Sequence, residues 1–398
     1  LFTLDNSDFT MGSISAANGE FCFDVFKELK AHHANDNIFY SPMTIISALA
    51  MVYLGARGDT QSQMEKVTNA TYLLIFMSSP QCGTSEYIHS SFKDLISDLT
   101  RPNTKYLLKI TDRLYMEKTY PILPEYLKCA KKFYKAGVEE VNFKTDTEEA
   151  RQLINSWVEK ETDGKAQKPG SRYFALPTII YTHVFFSSYC PVKTGQARAG
   201  CLMLWKQNSM KQHPAPPRPS LQPQHRTCIL PPSASSLKDG SKIFFGRALL
   251  ISILCWHCIP CLSLQLENKI SYEKLKEWTS PSMMKNKTMK VCIPRMKIEE
   301  KYNLTAVLIA LGMTDLFSPS ANLSGISSAD NLKVSEVIHE AYMEVNEEGT
   351  EAGGSTDVMG DITYSLELEE MKADHPFLLF VKHNPTDTIL FFGRYCSP

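Results

Sequence analysis

373-ADHPFLLFVKHNPTDTILFFGRYCSP-398 closes the chain with two apolar runs, 377–383 and 388–395. They are rich in β-branched and aromatic residues, which suit a pleated, buried surface. Asn384, Pro385 and Asp387 stand between them, and these are turn-forming types. The stretch reads as two adjacent strands joined by a tight turn, with a polar lead-in at His375.

Working back from that pair, 337-VIHEAYMEVNEEG-349 is strand-like and 289-MKVCIPRMKI-298 alternates. Short helices are expected around Tyr272–Trp278 and through 303-NLTAVLIALGM-313. In the first half, Phe21, Val25 and Leu29 recur at helical spacing. The run 41-SPMTIISALAMVYLGARG-58 carries Ser41 as N-cap, Pro42 at the first helical position and Gly55 as a stop. It is apolar nearly all round, so it should be buried. Strand alternation follows at 107-LLKITDRLYMEKTY-120. In 147-TEEARQLINSWVEKETDG-164, Ala150, Leu153, Ile154 and Trp157 share a helical face that ends at Gly164. Helices and strands mix without a βαβ beat, so the fold class is α+β.

Composition narrows the function classes. The 398 residues are 43% hydrophobic and 21% charged, with formal net charge −1. A sizeable core is available, and no global charge favours nucleic acid or an anionic membrane. There is no Walker-type loop, Gly-x-Ser-x-Gly elbow or His-Glu-x-x-His helix, so no enzyme, cofactor or catalytic residue is expected. Of the eleven cysteines, Cys190, Cys201, Cys228, Cys255, Cys258 and Cys261 crowd one central segment. The odd total leaves at least one thiol unpaired. Asn69, Asn286, Asn303 and Asn322 stand in Asn-x-Ser/Thr triplets, candidates for glycosylation. Residues 1–10 lack a basic start and a cleavage site. Met11 reads as a natural start, and 1–10 as an upstream extension.

The segment 166–265 belongs with neither flank. Prolines in 213-HPAPPRPSLQPQ-224 and 231-PPSASS-236 oppose regular structure. The run 248-ALLISILCWHCIPCLSL-264 is a weak transmembrane candidate, near the lower length limit with a histidine and a proline inside. Cys255, His257, Cys258 and Cys261 could bind a metal, but three cysteines without a second matching pair are weak evidence for zinc. The favoured reading is unrelated sequence, inserted or replacing, so no metal and no membrane are expected.

The flanks 11–165 and 266–398 resemble the serpins. The residues that carry the resemblance are 37-NIFYSPMTIISALAMVYLGA-56, 152-QLINSWVEKET-162, 344-EVNEEGTEA-352 and the closing 373–398. Within the family, the start at 11-MGSISAANGEFCFDVFKELKAHHANDNIFYSP-42 is similar to the ovalbumin group. The resemblance implies three β-sheets, eight or nine helices and an exposed reactive loop over 347–372. It implies that Ser41, Ser47 and His339 lie where the large sheet opens. It also implies a Cys82–Cys129 disulfide, a monomer, and secretion without a cleaved signal. A cytoplasmic location is the alternative.

The same resemblance gives 344-EVNEEGTEAGGSTDVM-359 a meaning. In inhibitory serpins a protease attacks a bait bond, and the cleaved loop inserts into the large sheet as a strand. Every second hinge residue must then enter a buried face, so it must be small and uncharged. With Thr350 inward, Ala352, Gly354 and Thr356 follow, while Glu351, Gly353, Ser355 and Asp357 face out. Glu347, Glu348, Gly349, Thr350, Glu351, Ala352, Gly353 and Gly354 make up the hinge. A flexible Gly/Ser linker is the plain alternative. The namesake of the ovalbumin group carries an arginine at the site of Thr350, which fits its lack of inhibition. The bait bond falls in Thr363–Ser365. Tyr364 would suit a chymotrypsin-like serine protease as partner. The alternatives are a storage role, or a defective chain: because 166–265 does not match, the acceptor strand and much of a second sheet should be missing.

Overall fold

The computed structural model describes residues 6–69, 86–101, 106–134, 137–161, 178–189, 240–245, 249–255, 267–280, 290–292, 296–346, 370–372 and 376–396. Eight α-helices are described: α1 Asn6–His32, α2 Pro42–Tyr53, α3 Gly58–Val67, α4 Glu86–Leu99, α5 Pro124–Tyr134, α6 Thr147–Glu161, α7 Tyr272–Trp278 and α8 Thr305–Leu311. Twelve strands join them: β1 Ile38–Tyr40, β2 Tyr106–Glu117, β3 Gly137–Val141, β4 Thr178–Tyr189, β5 Gly240–Phe245, β6 Leu249–Cys255, β7 Lys290–Cys292, β8 Met296–Asn303, β9 Glu336–Asn346, β10 Glu370–Lys372, β11 Phe377–His383 and β12 Thr388–Tyr395. Helix α1 already begins at Asn6, so part of the 1–10 stretch is helical.

The strands form three sheets. A five-stranded sheet runs β3-β2-β4-β9-β8, a second runs β1-β12-β11-β6-β5, and β10 pairs with β7 alone. The closing hairpin is antiparallel, Phe377 opposite Tyr395 and His383 opposite Thr388, with a register shift at Val381/Lys382. Asp387 takes a left-handed φ of 59° in the turn, which its short polar side chain tolerates.

Two corrections to the sequence reading concern the central segment. The large sheet is not missing its middle strand. β4, inside the segment set aside as unrelated, runs antiparallel to β2 and parallel to β9. The run 178-TIIYTHVFFSSY-189 can take this place because it is β-branched and aromatic. Ile180, Val184 and Phe186 are buried on one parity, and Ile179 and Phe185 on the other. A strand covered on both faces has apolar residues on both parities. The transmembrane candidate is likewise overturned over 249–255, which is β6, hydrogen-bonded to β11 and to β5. No described helix is long and apolar enough to cross a membrane.

Helix α2 lies between the two large sheets, against β2, β4 and β12. Every residue from Pro42 to Val52 is buried. Ser41 caps it by accepting from Thr44 N at 3.3 Å. On the opposite face of the large sheet, α6 packs Ala150, Ile154 and Val158 onto Tyr115, Ile179 and Ile338. The two sheets meet where Phe186 of β4 packs on Phe391 of β12, ring centroids 5.7 Å apart.

Gly55 does not end α2 through a left-handed turn. Instead the chain there lies against 323–326: Gly325 N donates to Gly55 O at 3.0 Å. A Cβ on Gly55 would stand 2.2 Å from Ile326 Cγ1 and 2.9 Å from Ile326 N. Gly55→Ala should therefore force backbone movement and cost about 1–3 kcal/mol, the usual cost of overpacking, read as a lower urea midpoint at unchanged m.

Candidate functional site: the seam of the large sheet

The candidate site lies where β4 and β9 run side by side, from Ile179 opposite Glu336 to Tyr189 opposite Asn346. A strand entering between them would break this ladder. One row of residues crosses the sheet on the face covered by α2. Asp112 of β2 is opposite Thr182 of β4, Thr182 is opposite His339 of β9, and His339 is opposite Tyr302 of β8.

His339 is fully buried, and both ring nitrogens are engaged. Ser41 N donates to Nε2 at 3.0 Å, so Nε2 is an acceptor. The ring is therefore the neutral Nδ1–H tautomer, and Nδ1 donates to Thr182 Oγ1 at 2.6 Å. The first bond ties the N-terminus of α2 to β9; the second crosses the seam. Tyr302 extends the tie, since its hydroxyl accepts from Phe39 N at 3.1 Å, just before α2. Burial, then the neighbouring His183, depresses the His339 pKa to about 3. His183, next along β4 on the other face, is held down to about 4 by burial and Lys109.

The resemblance implied that Ser41, Ser47 and His339 lie where the large sheet opens; Ser41 and His339 are bonded to each other beside the seam, and Ser47 is not part of that bond. Ser47 faces Asp112 instead, and favours its ionised form. Yet Ser47 Oγ and Asp112 Oδ1 are both shielded from solvent without completing a hydrogen bond among the described residues. Burial prevails, and the Asp112 pKa is raised to about 7. Sequence reasoning missed Thr182, His183 and Asp112. The β-branched and aromatic run 178–189 was the available signal for the first two. Asp112 showed only as an acid on a strand parity that elsewhere holds Leu108, Ile110 and Leu114.

The other sequence-derived positions divide. The hinge Glu347, Glu348, Gly349, Thr350, Glu351, Ala352, Gly353 and Gly354, and the bait window Thr363, Tyr364 and Ser365, lie outside the described residues, as do Cys82 and Asn286. The described ends of that loop are Asn346 of β9 and Glu370 of β10, and β10 runs parallel to β7. Cys129, buried on α5, is disulfide-bonded, whereas Cys22 and Cys396 are free thiols. Asn69 takes a left-handed φ of 53° after α3. Asn303 and Asn322 are exposed. Asn322 Oδ1 accepts from Ser324 N at 3.3 Å and Ser324 Oγ at 2.8 Å. Among the described residues no cluster of His, Cys, Asp and Glu could hold a metal.

A large sheet of this order, with a helix threaded between it and a second sheet and a long connection from β9 to β10, is the serpin architecture. The family described as "Serpin (serine protease inhibitor)" matches residues 16–186 and 260–398. The chain belongs to that family, and the match takes in most of β4. Its relatives include ovalbumin-related protein Y of Gallus gallus, 50% identical over 395 residues, 98% of this chain and all of the relative. Ovalbumin of Gallus gallus is 44% identical over 397 residues, again 98% and 100%. Among solved structures, uncleaved ovalbumin superposes with a TM-score of 0.75 at 40% identity, covering 97% of this chain and all of that one. A loop-inserted structure of a cleaved arginine-to-threonine ovalbumin mutant gives 0.72 at 37% identity, with coverage of 97% and 100%.

The seam geometry makes two predictions. Thr182→Val keeps the shape of β4 but leaves the His339 Nδ1–H buried without an acceptor. Unfolding stability at neutral pH should fall by about 1–3 kcal/mol, measured in urea. Acid should act through both depressed histidines. Each is neutral when folded but charges near its ordinary pKa when unfolded, so its contribution is full above about pH 6.5 and lost as pH falls towards about 3–4. His183→Ala should flatten the decline between about pH 6.5 and 4 by up to one tenfold step in the unfolding constant per pH unit.

Proposed function

We propose that this serpin acts as an inhibitor of a serine protease, by cleavage of its 347–372 loop and insertion of the cleaved loop between β4 and β9. The observation that carries the reading is the closed parallel pairing of those strands, with β9 leading into a hinge of small residues on one parity. Thr350, Ala352 and Gly354 could enter the buried face without a charge. The ovalbumin mutant described as loop-inserted bears threonine in place of an arginine, and the family resemblance implies that an arginine of ovalbumin stands at the site of Thr350. This chain has the threonine as its own residue.

A second reading, a non-inhibitory egg-white or storage role, is favoured by the 44–50% identity to ovalbumin and ovalbumin-related protein Y. Both readings share a monomeric protein outside the cell, with Cys82 as the disulfide partner of Cys129 and glycans on exposed triplets such as Asn303 and Asn322. Neither requires a cofactor or metal. The bait bond falls in Thr363–Ser365, with Tyr364 suited to a chymotrypsin-like enzyme.

Two measurements separate them. Incubation with chymotrypsin should give a covalent complex that survives SDS, formed through an acyl link to a residue of the Thr363–Ser365 window. A cleaved chain with no complex would favour the storage reading. Independently, nicking the loop with a non-target protease should raise the melting temperature by well over the ~2–4 °C that one kcal/mol represents in a domain of a few hundred residues. In Thr350→Arg, insertion would bury a charge, and that rise should shrink or vanish.

A further inference from the structure

The carboxyl of Asp112 has no part in the loop chemistry, and its position is costly. It lies on the α2-covered face of β2, with Oδ1 shielded from solvent and without a partner among the described residues. From α2 it is faced by Ser47. From β4 its neighbour is Thr182, with His339 of β9 beyond. From α5 the hydroxyl of Tyr134 lies within its electrostatic reach, and Tyr134 is itself bonded to His89 of α4. Tyr53 of α2 and Tyr126 of α5 complete the group around that hydroxyl. Among the described residues no cation offsets the partial burial of this acid, and a charge shielded without a counter-charge favours a rearrangement that admits water.

The rearrangement within reach is at α2. This helix spans the seam: Ser47 stands over Asp112 on β2, while Ser41 N is bonded to His339 on β9. Its grip on β9 also holds the ring that bridges to Thr182. Loosening α2 to solvate Asp112 therefore loosens the seam.

We propose that Asp112 is a protonation-controlled latch of the large sheet: neutral, it lets α2 seat on β2 and keeps the β4–β9 seam shut, and ionised, it loosens both.

The sign follows from linkage. A carboxyl whose pKa is about 7 in the closed sheet, against an ordinary 3.8, stabilises the closed form fully below about pH 4. That contribution is lost as pH rises to about 7 and is constant above. The two depressed histidines act oppositely over nearly the same range, so the net profile alone would conceal the latch. The latch does not rest on protease inhibition, and it can be tested on the uncleaved chain.

The experiment compares the intact protein with Asp112→Asn, an uncharged near-isostere. Amide exchange of α2, β4 and β9, corrected for intrinsic rates, reads the opening equilibrium from about pH 4.5 to 8. The ratio of openings, wild type over variant, should climb by up to tenfold per pH unit to about pH 7 and then level off. Parallel profiles would overturn the proposal. Should the variant not fold, titration of the wild-type Asp112 carboxyl by carbon NMR decides: a midpoint near 7 supports the latch, and one near the ordinary ~4 overturns it.

Discussion

The hydrogen bond from Ser41 N to His339 Nε2 fixes the large sheet in its closed form. Its donor is an orphan amide beside the start of a helix, the kind of group that must find a partner when buried. Its acceptor is a ring that must be neutral to accept. The proton left on Nδ1 then has one useful destination, Thr182 across the seam. One tautomer thus couples the seating of α2 to the closure of β4 on β9. Because α2 also packs on β12, the same bond holds the large sheet in register with the second sheet. In the apolar space between the sheets, each of these polar atoms depends on the others, since a lost partner is not replaced by water.

That dependence explains the unusual electrostatics of the region. Within two adjacent rows the sheet holds an acid forced towards its neutral form and two histidines forced towards theirs. All three shifts have the same first cause, burial. Their consequences for stability have opposite sign, because neutrality means a retained proton for the carboxyl and a missing one for the rings. Between about pH 4 and 6.5 the acid offsets roughly one histidine. The closed sheet is therefore less acid-sensitive than its two histidines alone would make it.

The sequence made some of this legible and hid the rest for physical reasons. The closing hairpin was visible because 377–383 and 388–395 are apolar throughout with turn residues between them. The cap of α2 was visible because Ser-Pro before an apolar run has few other meanings. The central strand was not, since 178–189 follows a stretch with no strand pattern and precedes a proline-rich one, and surroundings weighed more than its own β-branched and aromatic composition. The run 249–255 looked like half a membrane span because a strand in the middle of a sheet has the same unbroken apolar character. Gly55 was read as a stop, and α2 does end before it, but what calls for a glycine there is close packing against Ile326. Asp112 could not be found at all by pattern, because its significance comes from Ser47 and Thr182, far away in the chain.

Topology also indicates why the seam should be a place of stored free energy under the inhibitory reading. β4 and β9 are parallel, and parallel ladders are slightly the less stable kind. The segment that would enter follows β9 directly, so it must turn back on itself and run antiparallel to both strands. One parallel ladder would be exchanged for two antiparallel ones, doubling the backbone pairing at that position. Entry begins at the Tyr189–Asn346 end, next to the loop, and the barrier lies further along, at the parting of Thr182 from His339 under α2. A chain that is to act once, on cleavage, needs that step to be slow while its loop is intact. A buried histidine bridge with no water to replace it supplies the barrier, and an acid beside it supplies the means to lower it.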